Sequence, residues 1–136
     1  MNILEHLKYS EEHEWIDVTD DRTDDGLQIA IVGISDFAQG ELGELVYVEV
    51  DTVGEEIAKD EVFGTVEAVK TTSDLFAPVS CRILEFNSSL DENEGDDPAL
   101  INSDPYGEGW IVKIAITNPD ELDGLLDAAA YRNLIS

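Results

Sequence analysis

Lys70 is the residue whose type and setting point to covalent chemistry. A primary amine on a reachable turn can be acylated once, giving a stable amide through which a prosthetic group is carried. Lys70 is one of four lysines, with Lys8, Lys59 and Lys113, in a 136-residue chain of formal net charge −25. It stands between two apolar runs, 62–69 and 75–79, and the small polar residues Thr71, Thr72, Ser73 and Asp74 follow it directly. A lone cation at a hairpin tip, rather than on a helix face, is well placed for a modifying enzyme. The competing reading is an ordinary solvated turn lysine. The amine alone does not separate the two.

Other residue types that do chemistry are sparse. His13 invites a metal or a general-base role, but His6 is the only other histidine and no His or Cys cluster surrounds it, which favours a structural or surface role. The acidic stretch 91–97 lacks the ligand spacing and terminal glutamate of a calcium loop and reads as solvated. Cys81 is the single cysteine, which excludes an internal disulfide and a cysteine-based metal cluster. It reads as a small buried residue rather than a reactive thiol. No nucleophile–base constellation of a hydrolase is evident, so no catalytic residue is assigned.

The elements that must position Lys70 are strands. Residues 15–18, 27–32, 45–50, 62–69, 75–79, 82–86 and 110–116 are β-type runs, with turns at 20–26, 51–54 and 104–109. The clearest period-two signal puts Val46, Val48 and Val50 on one face. Pro78 belongs at an edge or bulge because it cannot donate to a ladder. Ser35-Asp36-Phe37-Ala38 reads as one capped turn of helix. Asn118-Pro119-Asp120 opens a helix over 121–126, and a second helical piece follows over 127–134. Ser73-Asp74-Leu75-Phe76-Ala77 echoes Ser35-Asp36-Phe37-Ala38, and each leads to a strand, which suggests a pseudo-twofold repeat. The expectation is a single, mainly β domain over 1–136, a sandwich or barrel core at about 9–117 with a helical tail at about 119–135.

Thirty-two acidic side chains against seven basic ones exclude nucleic acid as a direct partner and disfavour anionic membranes. Two explanations of the acidity stay open: solubility, and adaptation to a high-salt cytoplasm where salt screens self-repulsion. No apolar run approaches the roughly 20 residues of a membrane helix. The start, from Met1 to His6, has neither a basic apolar leader nor an arginine-rich transit pattern. The expectation is a cytoplasmic protein, or a mature chain whose leader is not shown, and a monomer.

Five motifs then occur in a telling order. They are Ser10-Glu11-Glu12-His13-Glu14-Trp15, Val32-Gly33-Ile34-Ser35-Asp36-Phe37-Ala38-Gln39, Val66-Glu67-Ala68-Val69-Lys70, Ser73-Asp74 and Asp104-Pro105-Tyr106-Gly107-Glu108-Gly109-Trp110. Together, over about 7–135, they closely resemble the H proteins of the glycine cleavage system. The resemblance implies a barrel-sandwich hybrid fold with lipoate in amide linkage to Lys70. It implies that Glu67 and Gly54, three and sixteen residues before Lys70, serve recognition by lipoate-attaching enzymes. It implies three partners for a carrier that catalyses nothing itself. These are a pyridoxal-phosphate glycine decarboxylase, a folate-dependent aminomethyltransferase and dihydrolipoamide dehydrogenase.

The resemblance also implies a surface cleft where the loaded arm rests, near Glu14, with Glu12 and Asp74 beside it. Glu12 stands where the family often has a small hydroxyl residue, and Cys81 where it usually has glycine. Glu14 reads equally well as a surface charge. A biotinyl carrier would place methionines beside the lysine, whereas Val69 and Thr71 flank Lys70. The nearest alternative keeps the carrier and changes the pathway to sulfur oxidation or lipoyl-group relay. Glu67→Ala is expected to slow lipoyl attachment several-fold while leaving the thermal midpoint nearly unchanged. Equal attachment rates for variant and parent would contradict the recognition role.

Overall fold

The computed structural model describes residues 2–136, and Met1 lies outside them. Among these residues the chain forms two antiparallel sheets with short helices, the mainly β architecture that its turn-separated runs imply. The larger sheet orders β1 (Lys8–Tyr9), β2 (Glu14–Arg22), β3 (Gln28–Ile34), β9 (Val112–Ile116), β8 (Cys81–Phe86) and β5 (Glu56–Ile57). The smaller orders β4 (Leu45–Glu49), β6 (Val62–Ala68) and β7 (Thr72–Phe76). The helices are α1 (Asp36–Leu42), α2 (Leu100–Ser103) and α3 (Ala128–Ile135). None is long and apolar enough to cross a membrane.

Strand alternation builds the core. Ala30, Val32 and Ile34 of β3 share a buried apolar cluster with Ile114 and Ile116 of β9 and Ile83 of β8, and with Phe63, Val66 and Leu75 from the smaller sheet. Removing this surface from water, at about 25 cal/mol per Å², is the main force holding the sheets together. A second cluster joins Leu7 and Tyr9 of the N-terminal arm, Trp15 of β2, and Ala128 and Tyr131 of α3. Ala128 and Tyr131 are three residues apart and so meet it from one helix face.

Several local expectations change in the structure. β2 runs to Arg22, so the turn shrinks to 23–26, where Thr23 and Leu27 close the loop and Gly26 takes φ +87°. Val46 does not share a face with Val48: Leu45 pairs with Ala68 and Tyr47 with Glu67, leaving Val46 as a bulge residue. Leu45 and Val48 are then buried, while Val46 is 45% exposed. The segment expected as a helix at 121–126 is instead a 3-10 segment, Pro119–Gly124. β7 ends at Phe76, so Pro78 lies in a bend after the strand. The repeat does not hold either. Ser35 caps a helix, with its Oγ accepting from the Ala38 N–H, whereas Ser73 and Leu75 belong to a strand paired with β6.

Gly33 leaves room for the ring of Trp15, its partner on the neighbouring strand of the same sheet. A Cβ built there would lie 2.7 Å from the Trp15 ring, which is 2% exposed and donates its indole N–H to the Pro105 carbonyl at 3.0 Å. The ring is therefore not free to swing aside. Gly33→Ala is expected to lower stability by about 1–3 kcal/mol through overpacking, measurable as a fall in the urea midpoint at unchanged slope.

Candidate functional site

Lys70 sits at the tip of the β6–β7 hairpin. Glu67 and Thr72 form the last paired residues, and the Ala68 N–H donates to the Thr71 carbonyl at 2.7 Å. Ala68 is buried in the core, which anchors the turn's base. The Val69 N–H reaches the Glu44 carbonyl at 3.2 Å, so the loop before β4 braces the tip from the side. Lys70 itself is exposed, and Val69 beside it is 69% exposed. Three ion pairs form among the described residues, and none engages Lys70. The turn contains no glycine and no residue of positive φ, so ordinary backbone geometry holds it.

Two clefts adjoin the hairpin. The first, about 320 Å³, is lined by Lys70, Val69 and residues 40–44, the end of α1 and the loop that follows it. The second, about 180 Å³, shares Glu41 and Leu42 with the first. Its walls are Glu12, His13 and Glu14 on one side and Phe37 and Ala38 of α1 on the other, with Val66, Ser73, Asp74 and Leu75 from the hairpin strands. The walls are shared between apolar and polar side chains, four of the latter carrying carboxyl groups.

Glu14 is the unusual member. It is 2% exposed, which rules out the surface-charge reading. Its carboxylate accepts from Ser10 Oγ at 2.6 Å and from the Phe76 backbone N–H at 3.2 Å. Phe76 ends β7, the strand returning from Lys70, so one carboxyl links the larger sheet to the hairpin. Ser10 Oγ also accepts from the Glu14 N–H, and the 10–14 turn closes through His13 at φ +72°. Burial lifts the Glu14 carboxyl from its ordinary 4.5 to about 8, against the lowering effect of the Ser10 and Phe76 hydrogen bonds.

The expected site residues thus divide. Glu12, Glu14 and Asp74 line one cleft, whose neighbour carries Lys70. Glu67 is exposed on β6 in the last pair before the hairpin tip. Gly54 lies outside the clefts, in a turn at φ +92°, and donates its N–H to the Ile83 carbonyl of β8 at 2.8 Å. That left-handed φ is why the position favours glycine. Sequence reasoning missed Glu41, which lines both clefts, and Ser10, which holds Glu14. The four-residue spacing of Ser10 and Glu14 was the available signal. His13 makes its contacts within the protein, its Nδ1 lying 2.9 Å from the Tyr131 hydroxyl.

The glycine cleavage H-protein family model matches residues 7–136. The chain belongs to the glycine cleavage H-protein family. It is similar to a glycine cleavage system H protein of Chlorobium limicola, 53% identical over 135 residues that span 99% of this chain and 98% of the relative. An H protein of Symbiobacterium thermophilum is 52% identical over 130 residues, spanning 96% and 93% of the two chains. The crystal structure of an H protein from Mycobacterium marinum superposes with a TM-score of 0.77 at 39% identity, covering 96% of this chain and 97% of that one. As an H-protein family member with two antiparallel sheets, the chain has the barrel-sandwich fold.

The raised Glu14 value carries a definite sign. The folded chain holds this proton more tightly than the unfolded chain, so the group's contribution to stability is fully present below its unfolded value. It is lost as pH rises from about 4.5 to about 8. Glu14→Gln keeps a hydrogen-bonding side chain without the titration. Its urea midpoint should gain on the parent's across that window and then hold a constant lead. A pH-independent difference would contradict the burial argument.

Proposed function

We propose that this chain is the lipoyl-bearing carrier of its glycine cleavage system, with lipoate in amide linkage to Lys70 Nζ. The observation that carries the reading is an exposed, unpaired-in-charge amine at a braced hairpin tip, beside a cleft whose neighbour is lined by the buried carboxyl of Glu14. The residues present suit the group. Phe37, Ala38, Leu42, Val66 and Leu75 match an alkyl chain and dithiolane, and Glu14, Glu12 and Asp74 match a charged amine at its end.

When attached, the lipoyl group supplies a disulfide that accepts the aminomethyl unit and a dithiol that is later reoxidised. The chain's own residues present and shelter it. Acylation of Lys70 removes one positive charge, making the chain one unit more negative. Tethering makes each reaction local once a partner docks. Burial shifts Glu14 toward its protonated form, and an ammonium within contact favours the ionised form, so the two effects oppose each other at this carboxyl. On this reading Glu67 and Gly54 serve the lipoate-attaching enzymes. The partners are the pyridoxal-phosphate glycine decarboxylase, the folate-dependent aminomethyltransferase and dihydrolipoamide dehydrogenase. The carrier itself performs no chemical step and has no catalytic residue.

The test is intact mass and peptide mapping after expression in a lipoate-supplied host. A lipoyl increment confined to the Lys70 peptide is expected, and Lys70→Arg should keep the thermal midpoint, lose the increment and support no glycine decarboxylation. A Lys70→Arg protein that still carried aminomethyl groups would remove Lys70 from the mechanism.

A further inference from the structure

The C-terminal helix reaches the cleft through one hydroxyl. Tyr131 of α3 is fully buried, its ring stacked on Tyr9 with centroids 4.4 Å apart and planes 3° from parallel. Its hydroxyl lies 2.6 Å from Ser35 Oγ and 2.9 Å from His13 Nδ1. Ser35 is the N-cap of α1, which forms one wall of the Glu14 cleft, and His13 belongs to the turn that forms the other. The two walls also meet through the backbone, with the Ser35 N–H donating to the His13 carbonyl at 2.9 Å. His13 completes the span by packing its ring 5.1 Å from Phe37.

The proton count orients this chain of bonds. Ser35 Oγ already accepts from the Ala38 N–H at 3.1 Å, and its own proton needs a buried acceptor, which the Tyr131 oxygen supplies. The Tyr131 proton is then directed to His13 Nδ1, which must be the unprotonated nitrogen of a neutral ring. Burial favours that neutral form, outweighing the Glu12 and Glu41 carboxylates that oppose it.

We propose that Tyr131 is a positioning residue for the arm cleft, its hydroxyl fixing the separation of the 10–14 turn from the N-terminus of α1 and so the fit of the loaded arm between them. This rests on the reading that the cleft beside Glu14 receives the aminomethyl-bearing arm. Tyr131→Phe keeps the Tyr9 stack and the core volume while cutting both tethers at once.

The experiment uses the lipoylated full chain, loaded with the aminomethyl group by its decarboxylase, and times alkylation of the arm's remaining free thiol by iodoacetamide. Free aminomethyl-dihydrolipoamide is the reference. Cys81 is buried and does not compete for the reagent. The parent is expected to react at least tenfold more slowly than the reference, and Tyr131→Phe to recover most of that rate while still folded at the assay temperature, its thermal midpoint lowered by the loss of two buried hydrogen bonds. A parent as reactive as the reference would overturn the cleft reading, and this proposal with it. A protected parent and an equally protected Tyr131→Phe would overturn the proposal alone. A second measurement needs neither lipoate nor variant: ¹⁵N spectra of the unlipoylated chain should show His13 neutral with Nε2 protonated near pH 7. A proton on Nδ1 would break the chain of donors and overturn the assignment.

Discussion

A carboxyl group buried at the seam between two sheets must be satisfied from both sides, and that requirement organises this molecule. Glu14 opens β2 of the larger sheet, yet one of its oxygens is held by the backbone of β7 in the smaller sheet. The other is held by Ser10, in a turn that closes only because His13 adopts a left-handed conformation. An unpaired polar atom in such a place would cost on the order of 1–3 kcal/mol. Among the described residues no buried side-chain oxygen or nitrogen is left without a partner. The hairpin that carries Lys70 is thereby registered against the larger sheet at a single point, close to where its apolar residues enter the core.

The charge balance bears on the surface far more than on this interior. The three ion pairs are all at least partly exposed and contribute little to stability. Most of the 32 acidic side chains face solvent without a basic partner, so self-repulsion opposes folding and added salt relieves it. Burial of the strand faces must outweigh that repulsion. The clusters beneath β3, β9 and β6 and beneath α3 supply it.

The parts of this structure governed by local pattern were legible in the chain. Period-two runs placed most strands, Ser35 announced the cap of α1, and turn residues after Lys70 marked the hairpin that carries it. What escaped was set by tertiary pairing. The bulge at Val46 arises from how β4 meets β6, and alternation within β4 cannot reveal it. Glu14 stands among Glu11 and Glu12, and only its four-residue spacing from Ser10 marks the one side chain that folds inward. Tyr131 lies 118 positions from His13, so their contact had no local signature. The motifs around Lys70, read together, carried more than any of them alone, because their order over the chain reflects one fold.

The position of the lone cysteine has a consequence for redox isolation. Cys81 is 1% exposed, set between Ile57 of β5 and Ile116 of β9, and burial pushes its thiol up to about 12. Thiol–disulfide exchange requires a thiolate that can approach the sulfur it attacks. Cys81 has neither the ionisation nor the access. A disulfide cargo tethered elsewhere on this chain would therefore face no internal trap, and a mixed disulfide between host and cargo, which would halt turnover, is closed off by packing alone.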